Sequence, residues 1–212
     1  MATLGRFLTW LSGGVATVMV VLVIARVPAS LWLGFLPYLL FEATTAVAAF
    51  WSGRATVPAH GFTEIAVPVV GTWLWVAGYW FLHGRALPDP TLRSVGLVVA
   101  VCGYVLGTWA VGTLGRAFSV LPEGRWLVAR GPYRFVRHPI YLAYFLTTAG
   151  ALLARPTMAL VVVAAVWAWL MRERMVMEER KLAAFVPGYR EYAAKTGALL
   201  PRLAALRPAG ER

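Results

Sequence analysis

Apolar residues along this chain come in long runs that alternate with short, arginine-rich polar stretches. Six runs can be delimited, at about 7–25, 31–51, 64–82, 92–113, 139–154 and 156–172. A bilayer-crossing helix needs about 20 such residues, with a range of about 17–25, and the first four runs qualify. The last two are shorter and separated only by Arg155-Pro156, which predicts a tight helical hairpin. Pro156 cannot continue the preceding helix but is tolerated at the start of the next one. The first run follows Arg6, yet it is longer than the apolar core of a secretory leader and further runs follow, so it reads as a retained helix. The pattern predicts an all-α, polytopic integral membrane bundle of about six transmembrane helices, folded as one domain.

Composition agrees. Of 212 residues 60% are apolar, and the mean hydropathy is +0.69, where soluble domains sit near 45–50% apolar. The net charge of +11 suggests nucleic acid until its placement is read. The 20 basic residues flank apolar runs and form no continuous stripe, so nucleic-acid binding is set aside. With the N-terminus inside and six crossings, the inside holds Arg6, Arg54, the five arginines at 116, 125, 130, 134 and 137, and nine basic residues from Arg172 onward. The outside holds only Arg26, Arg85, Arg93 and Arg155. That excess places both termini in the cytoplasm. Cys102 is the only cysteine, which excludes an internal disulfide and a cysteine-based zinc site. No other metal-binding spacing is found, so no metal is expected. Arginine outnumbers lysine 18 to 2, a usage that fits a GC-rich bacterial genome and hence a bacterial inner membrane. The chain end from about Leu199, with Pro201, Pro208 and Gly210, reads as a frayed tail.

Two polar clusters then fall on the same side. The upstream one is Gly131-Pro132-Tyr133-Arg134-Phe135-Val136-Arg137-His138-Pro139-Ile140-Tyr141, at the mouth of the fifth run. Gly131-Pro132 marks a turn, and Pro139 opens a helix whose free N–H groups favour an anion. The apolar stretch Trp126-Leu127-Val128 precedes it and could cover the flat face of a cofactor. The plainer reading of this cluster is a set of headgroup anchors and belt aromatics. The downstream cluster runs from Arg172 to Leu182 and continues the last helix. Arg174 and Glu178 are four apart, hence on one face. The plainer reading there is a solvated helix with ordinary ion pairs. Pro187-Gly188-Tyr189 and Tyr192 predict a turn and a short helix with two aromatics.

The order GPYRFVRHPIY, a short hairpin, EE-x-x-L, then P-G-Y-x-x-Y resembles the isoprenylcysteine carboxyl methyltransferase family, and more distantly the phospholipid N-methyltransferases, across about 92–203. The Gly-x-Gly element of the phospholipid enzymes is absent around Gly103 and Gly107. Residues 125–126 differ from the family's frequent histidine-threonine, and Phe185-Val186-Pro187-Gly188 replaces its Phe-Gly. The resemblance implies a methyltransferase core at 91–212 behind N-terminal transmembrane helices at 1–90, integrated in a single domain. It implies S-adenosylmethionine as cofactor and a lipophilic small-molecule or lipidated substrate taken from membrane lipids. Carried over, Arg125, Trp126, Leu127, Val128, Tyr133, His138, Pro139, Ile140, Tyr141 and Glu178 would bind the cofactor. Arg174 would bind the substrate carboxylate, and Arg174, Glu178 and His138 form the implied catalytic set.

Methyl transfer from a sulfonium to a carboxylate is an in-line displacement that needs alignment and exclusion of water. The carboxylate is already ionised at neutral pH, and the planar fork of an arginine suits its capture. A thiol or amine would need a base, for which His138 is the obvious neutral-pH group. Two other functions remain open on sequence grounds: a sterol-type reductase using NADPH, with the arginine-rich loop on its phosphates, and a scaffold binding anionic lipid. Elsewhere, Glu42 lies inside the second run, and an intramembrane carboxylate is a functional candidate by default. His60 and His83 mark run ends. Gly103 and Gly107 form a small-xxx-small pair suited to close helix packing, and Met171, Met175 and Met177 read as apolar lining.

Overall fold

A computed structural model describes residues 2–26, 28, 32–53, 55, 57–59, 61–82 and 89–202. His60, His83, Arg54, Arg85 and most of the tail lie outside the described residues. The elements are α1 (Ala2–Arg26), α2 (Trp32–Phe50), α3 (Phe62–Leu82), α4 (Pro90–Leu114), α5 (Pro139–Ala154), α6 (Met158–Phe185) and α7 (Tyr189–Lys195). Among the described residues there is no strand, only two isolated bridges, Val57 with Gly124 and Val136 with Gly197. The all-α membrane bundle read from the sequence is the architecture found.

Each apolar run becomes a helix, and local chemistry sets the ends. Asp89 caps α4, accepting from Thr91 N at 2.8 Å and Leu92 N at 3.3 Å, with Pro90 in the first turn. The hairpin expectation needs one correction. Pro156 does not open α6; the helix starts at Met158, where the Thr157 hydroxyl accepts from Leu160 N at 3.2 Å, because a side-chain cap satisfies an otherwise orphaned N–H.

Among the described residues, three segments are long and apolar enough to cross a bilayer by length and composition: Leu4–Arg26, Leu33–Phe50 and Pro90–Ala117. Phe62–Trp75 and Pro139–Ala154 are apolar but shorter. At 16 residues, α5 is about 24 Å long, less than the ~30 Å hydrocarbon core. Its partner α6 runs 28 residues and carries its charged half out past the end of α5. That overhang puts Arg174 and Glu178 level with the loop that precedes α5.

Small residues hold the bundle together. A Cβ on Gly96 would lie 2.6 Å from the Gly150 carbonyl oxygen, and one on Gly150 would lie 2.5 Å from that of Gly96. The backbones of α4 and α5 are therefore in contact, as small-residue seams allow in membranes. Gly103 and Gly107 belong to the same seam, against Ala143 and Thr147 and against Phe41 and Ala143. The packing reading of that pair stands. On the opposite side α3 meets α6 through Gly71 against Met171 and Gly78 against Val163. Lys181 closes this seam, donating to Glu64 at 2.6 Å and to the Pro58 carbonyl at 2.9 Å. One apolar cluster joins Phe41, Ala48, Val111 and Phe118, and a second joins Tyr141, Trp167 and Met171.

Gly150→Val should wedge the α4–α5 backbones apart and lower stability by about 1–3 kcal/mol. Thermal unfolding in detergent checks this, and an unchanged midpoint would contradict the seam.

Candidate active site

The loop between α4 and α5 folds back beneath the bundle. It opens with a 3₁₀ turn, Gly115–Ala117, and closes with another, Gly131–Arg134. Gly131 takes φ +56°, and a Cβ there would also meet the Thr113 hydroxyl at 2.7 Å, so the predicted Gly-Pro turn is fixed by both conformation and space. Pro132 starts the turn and buries Tyr133. His138 then caps α5, with Pro139 at its first position.

Two neighbours hold this loop. Arg137 Nε donates to Glu179 Oε1 at 2.8 Å, and His138 Nε2 lies 2.9 Å from the same oxygen. The tail after α7 pairs with the other side: Arg137 N donates to Gly197 O at 2.8 Å and His138 N to Ala198 O at 3.0 Å. Arg137 also donates to the carbonyls of Ala193 and Thr196. Tyr192 OH donates to the Tyr133 carbonyl, which gives the late tyrosine of the P-G-Y-x-x-Y stretch its role. The Glu179 carboxyl is held down to about 2, first by the hydrogen bond from His138, which works against the opposing effect of burial, with the hydrogen bond from Arg137 and nearby charge adding to the lowering. Burial and the nearby Glu178 push the Tyr133 hydroxyl well up, so it stays protonated.

Loop and helix enclose a cavity of about 550 Å³, counting its open mouth. Tyr133, His138, Pro139, Ile140 and Tyr141 line it from the loop and α5, and Arg174 and Glu178 line it from α6. The predicted i,i+4 face therefore does meet the GPYRFVRHPIY segment. Tyr141 OH donates to Glu178 Oε2 at 2.8 Å, leaving most of that carboxylate's acceptor capacity free. The Arg174 guanidinium carbon lies 5.4 Å from the Tyr141 ring centroid. Arg174 is only 9% exposed, and its buried Nε meets no hydrogen-bond acceptor among the described residues.

Four predicted site residues lie elsewhere. Arg125, Trp126, Leu127 and Val128 do not line the cavity. Arg125 is buried as a clamp, donating to Gly53 O at 2.6 Å, Arg116 O at 2.9 Å and Glu123 Oε2 at 3.1 Å. Trp126 is half exposed, and its ring packs near Gly53. His138 lines the cavity, but its Nε2 is engaged by an ionised Glu179, which makes it a donor there.

Sequence reasoning missed Phe118, Ser119, Leu121, Glu123, Arg137 and Tyr144 in the wall, and Glu179 behind it. The doubled glutamate carried a usable signal. Neighbouring positions on a helix point about 100° apart, so only one of Glu178 and Glu179 can face a site with Arg174.

The description "Isoprenylcysteine carboxyl methyltransferase (ICMT) family" matches residues 95–184, a stretch that holds every cavity residue just named. Residues 95–184 are a segment of the isoprenylcysteine carboxyl methyltransferase family. Protein-S-isoprenylcysteine O-methyltransferase B of Arabidopsis thaliana is 30% identical over 118 residues, 52% of this chain and 59% of that protein. Cobalt-zinc-cadmium resistance protein CzcN of Cupriavidus metallidurans is 33% identical over 151 residues, 65% of this chain and 66% of that protein. The Saccharomyces cerevisiae protein-S-isoprenylcysteine O-methyltransferase is 28% identical over 158 residues, 71% of this chain and 64% of that protein. The chain thus spans 59–66% of the length of these curated relatives. The family match accounts for the two polar clusters and leaves α1 to α3 without a counterpart in it.

A depressed carboxylate stabilises the fold above its unfolded value, here 4.5, and that contribution is lost as the pH falls from there towards about 2. Glu179→Gln should therefore be less stable than wild type at neutral pH, with the gap closing across that window. Thermal unfolding against pH tests this, and a gap that widens in acid would refute it.

Proposed function

We propose that the protein is an integral membrane methyltransferase that moves a methyl group from S-adenosylmethionine to the carboxylate of a lipophilic acceptor, of the isoprenylcysteine type named in its relatives. The observation that carries this reading is the shared cavity of Arg174 and Glu178, in which the buried Arg174 Nε meets no acceptor among the described residues. A buried charge without a partner costs several kcal/mol, and a ligand carboxylate bound through two parallel hydrogen bonds offsets that cost.

The residues present fit the cofactor. Glu178 offers free acceptor oxygens for a ribose diol or an ammonium group. The start of α5 offers unpaired N–H groups for a carboxylate, and Ile140, Phe118 and Leu121 supply apolar wall. The cofactor supplies a methyl group activated on a sulfonium, and the chain supplies alignment and dryness. Arg174 holds the acceptor carboxylate, Tyr141 orients Glu178, and the apolar wall weakens solvation of the reacting charges, which favours an anion and a cation combining to neutral products. His138 serves here as a positioning residue through Glu179. The reductase reading is less well served, because Arg125 and Arg137, two of the loop cations a phosphate would need, are already engaged. The excess of basic residues on one side supports cytoplasmic termini, and the arginine usage supports a bacterial inner membrane.

Isothermal titration with S-adenosylhomocysteine tests the reading. Wild type should bind, and Glu178→Ala should abolish binding. Arg174→Ala should keep binding while losing turnover by roughly 100-fold, the scale expected for losing one partner of a buried charge pair. Well-folded wild-type protein that ignores the ligand would end the proposal.

A further inference from the structure

Glu42 is not used by the reaction as read above. It sits inside α2, eight residues before the helix end at Phe50, about 12 Å along the axis. Among the described residues it meets no cation and no hydrogen-bond donor. A carboxylate within an apolar helix is costly, so its place calls for a partner.

Its surroundings point towards the cavity. Tyr38 from α2, one turn away, meets Tyr104 of α4 with ring centroids 5.4 Å apart. Phe41 lies between Tyr104 at 5.9 Å and Tyr144 of α5 at 6.1 Å. Tyr144 is in turn 6.5 Å from Tyr141, the ring on which Arg174 rests. Tyr144 lines the cavity and stands in the field of both Arg174 and Glu42. A row of rings from three helices thus carries a cation at its cytoplasmic end and an acid at its membrane end, neither in an ion pair among the described residues.

We infer that Glu42 is a second recognition point of the acceptor site, binding a protonated amine on the same lipophilic molecule whose carboxylate Arg174 holds. Opposite charges at two ends of one aromatic wall match a molecule with opposite charges at two points. Aromatic faces attract a cation, and a carboxylate beside them takes its N–H groups as charge-assisted hydrogen bonds. An anion at the same point meets like-charge repulsion, and a plain hydrocarbon leaves the acid unpaired. The preferred acceptors are then lipophilic acids bearing an amine some distance from the carboxylate. This rests on the methyltransferase reading.

The test uses the full chain in lipid nanodiscs. S-adenosylhomocysteine is titrated first, and failure to bind overturns the methyltransferase reading and this inference with it. With that ligand saturating, a long-chain fatty acid is compared with acids of the same length carrying a primary amine at successive positions. At least one amino acid of the series should bind about tenfold tighter than the parent, the scale of one charge-assisted contact. Glu42→Gln should erase that preference while leaving the parent acid bound as well as before, or a few-fold tighter. Binding of the first ligand with no preference for any amine in wild type overturns this inference alone, whether or not the variant folds. A preference that survives in Glu42→Gln overturns it as well.

Discussion

The site depends on one carboxylate. Glu179 Oε1 holds both Arg137 and His138, two consecutive residues whose backbone N–H groups are bound from behind by Gly197 and Ala198. Three parts of the chain distant in sequence meet there: the loop before α5, the charged half of α6 and the tail after α7. Without that junction the start of α5 has no fixed height relative to Glu178 and Arg174, and the cavity has no fixed width. Exposed ion pairs are worth little. This one combines two side-chain donors, Arg137 and His138, with backbone pairing, and its effect is to fix geometry more than to add stability.

Given that junction, the division of labour in α6 follows from helix geometry. Glu178 and Glu179 point to different sides, so one carboxylate faces the cavity while its neighbour ties down the loop. Arg174, one turn before Glu178, shares its face and rests on Tyr141, the residue that also donates to Glu178. Tyr141 thus orders the arginine through its ring and the glutamate through its hydroxyl. Because α5 is short and α6 is long, these groups stand at the end of the bundle, where polar groups are less costly than at its centre.

Much of this was legible in the sequence, for identifiable reasons. Apolar runs of bilayer length predict helices whatever their neighbours, and i,i+4 spacing predicts that Arg174 and Glu178 share a face. Glycine spacing in α4 predicted a close seam, which the Gly96–Gly150 contact extends. The extended segment 118–130 carries no periodic signal of this kind. Resemblance implies Arg125 to Val128 as cofactor contacts, and in this structure none of the four lines the cavity. Arg125 is drawn to the carbonyls of Gly53 and Arg116 and to Glu123, which lies two residues before it on the same side and itself lines the cavity. Nothing periodic announces that Glu123 packs against Gly5, where a Cβ would clash with its Oε1. Such contacts across more than a hundred residues arise from tertiary packing alone.

Those long-range contacts also bear on the N-terminal helices. The buried Thr9 hydroxyl in α1 accepts from Val120 N at 3.4 Å, Gly5 gives Glu123 its space, and Gly53 accepts from Arg125. Residues 118–123 therefore owe their position to α1 and to the turn after α2, and α2 brings Phe41 against the cavity-lining Tyr144. The half of the chain outside the family match shapes the wall of a site whose chemical groups lie inside the match. The chemical groups carried by α6 and the loop before α5 fall inside the family match, while part of the wall around them is positioned by helices outside it.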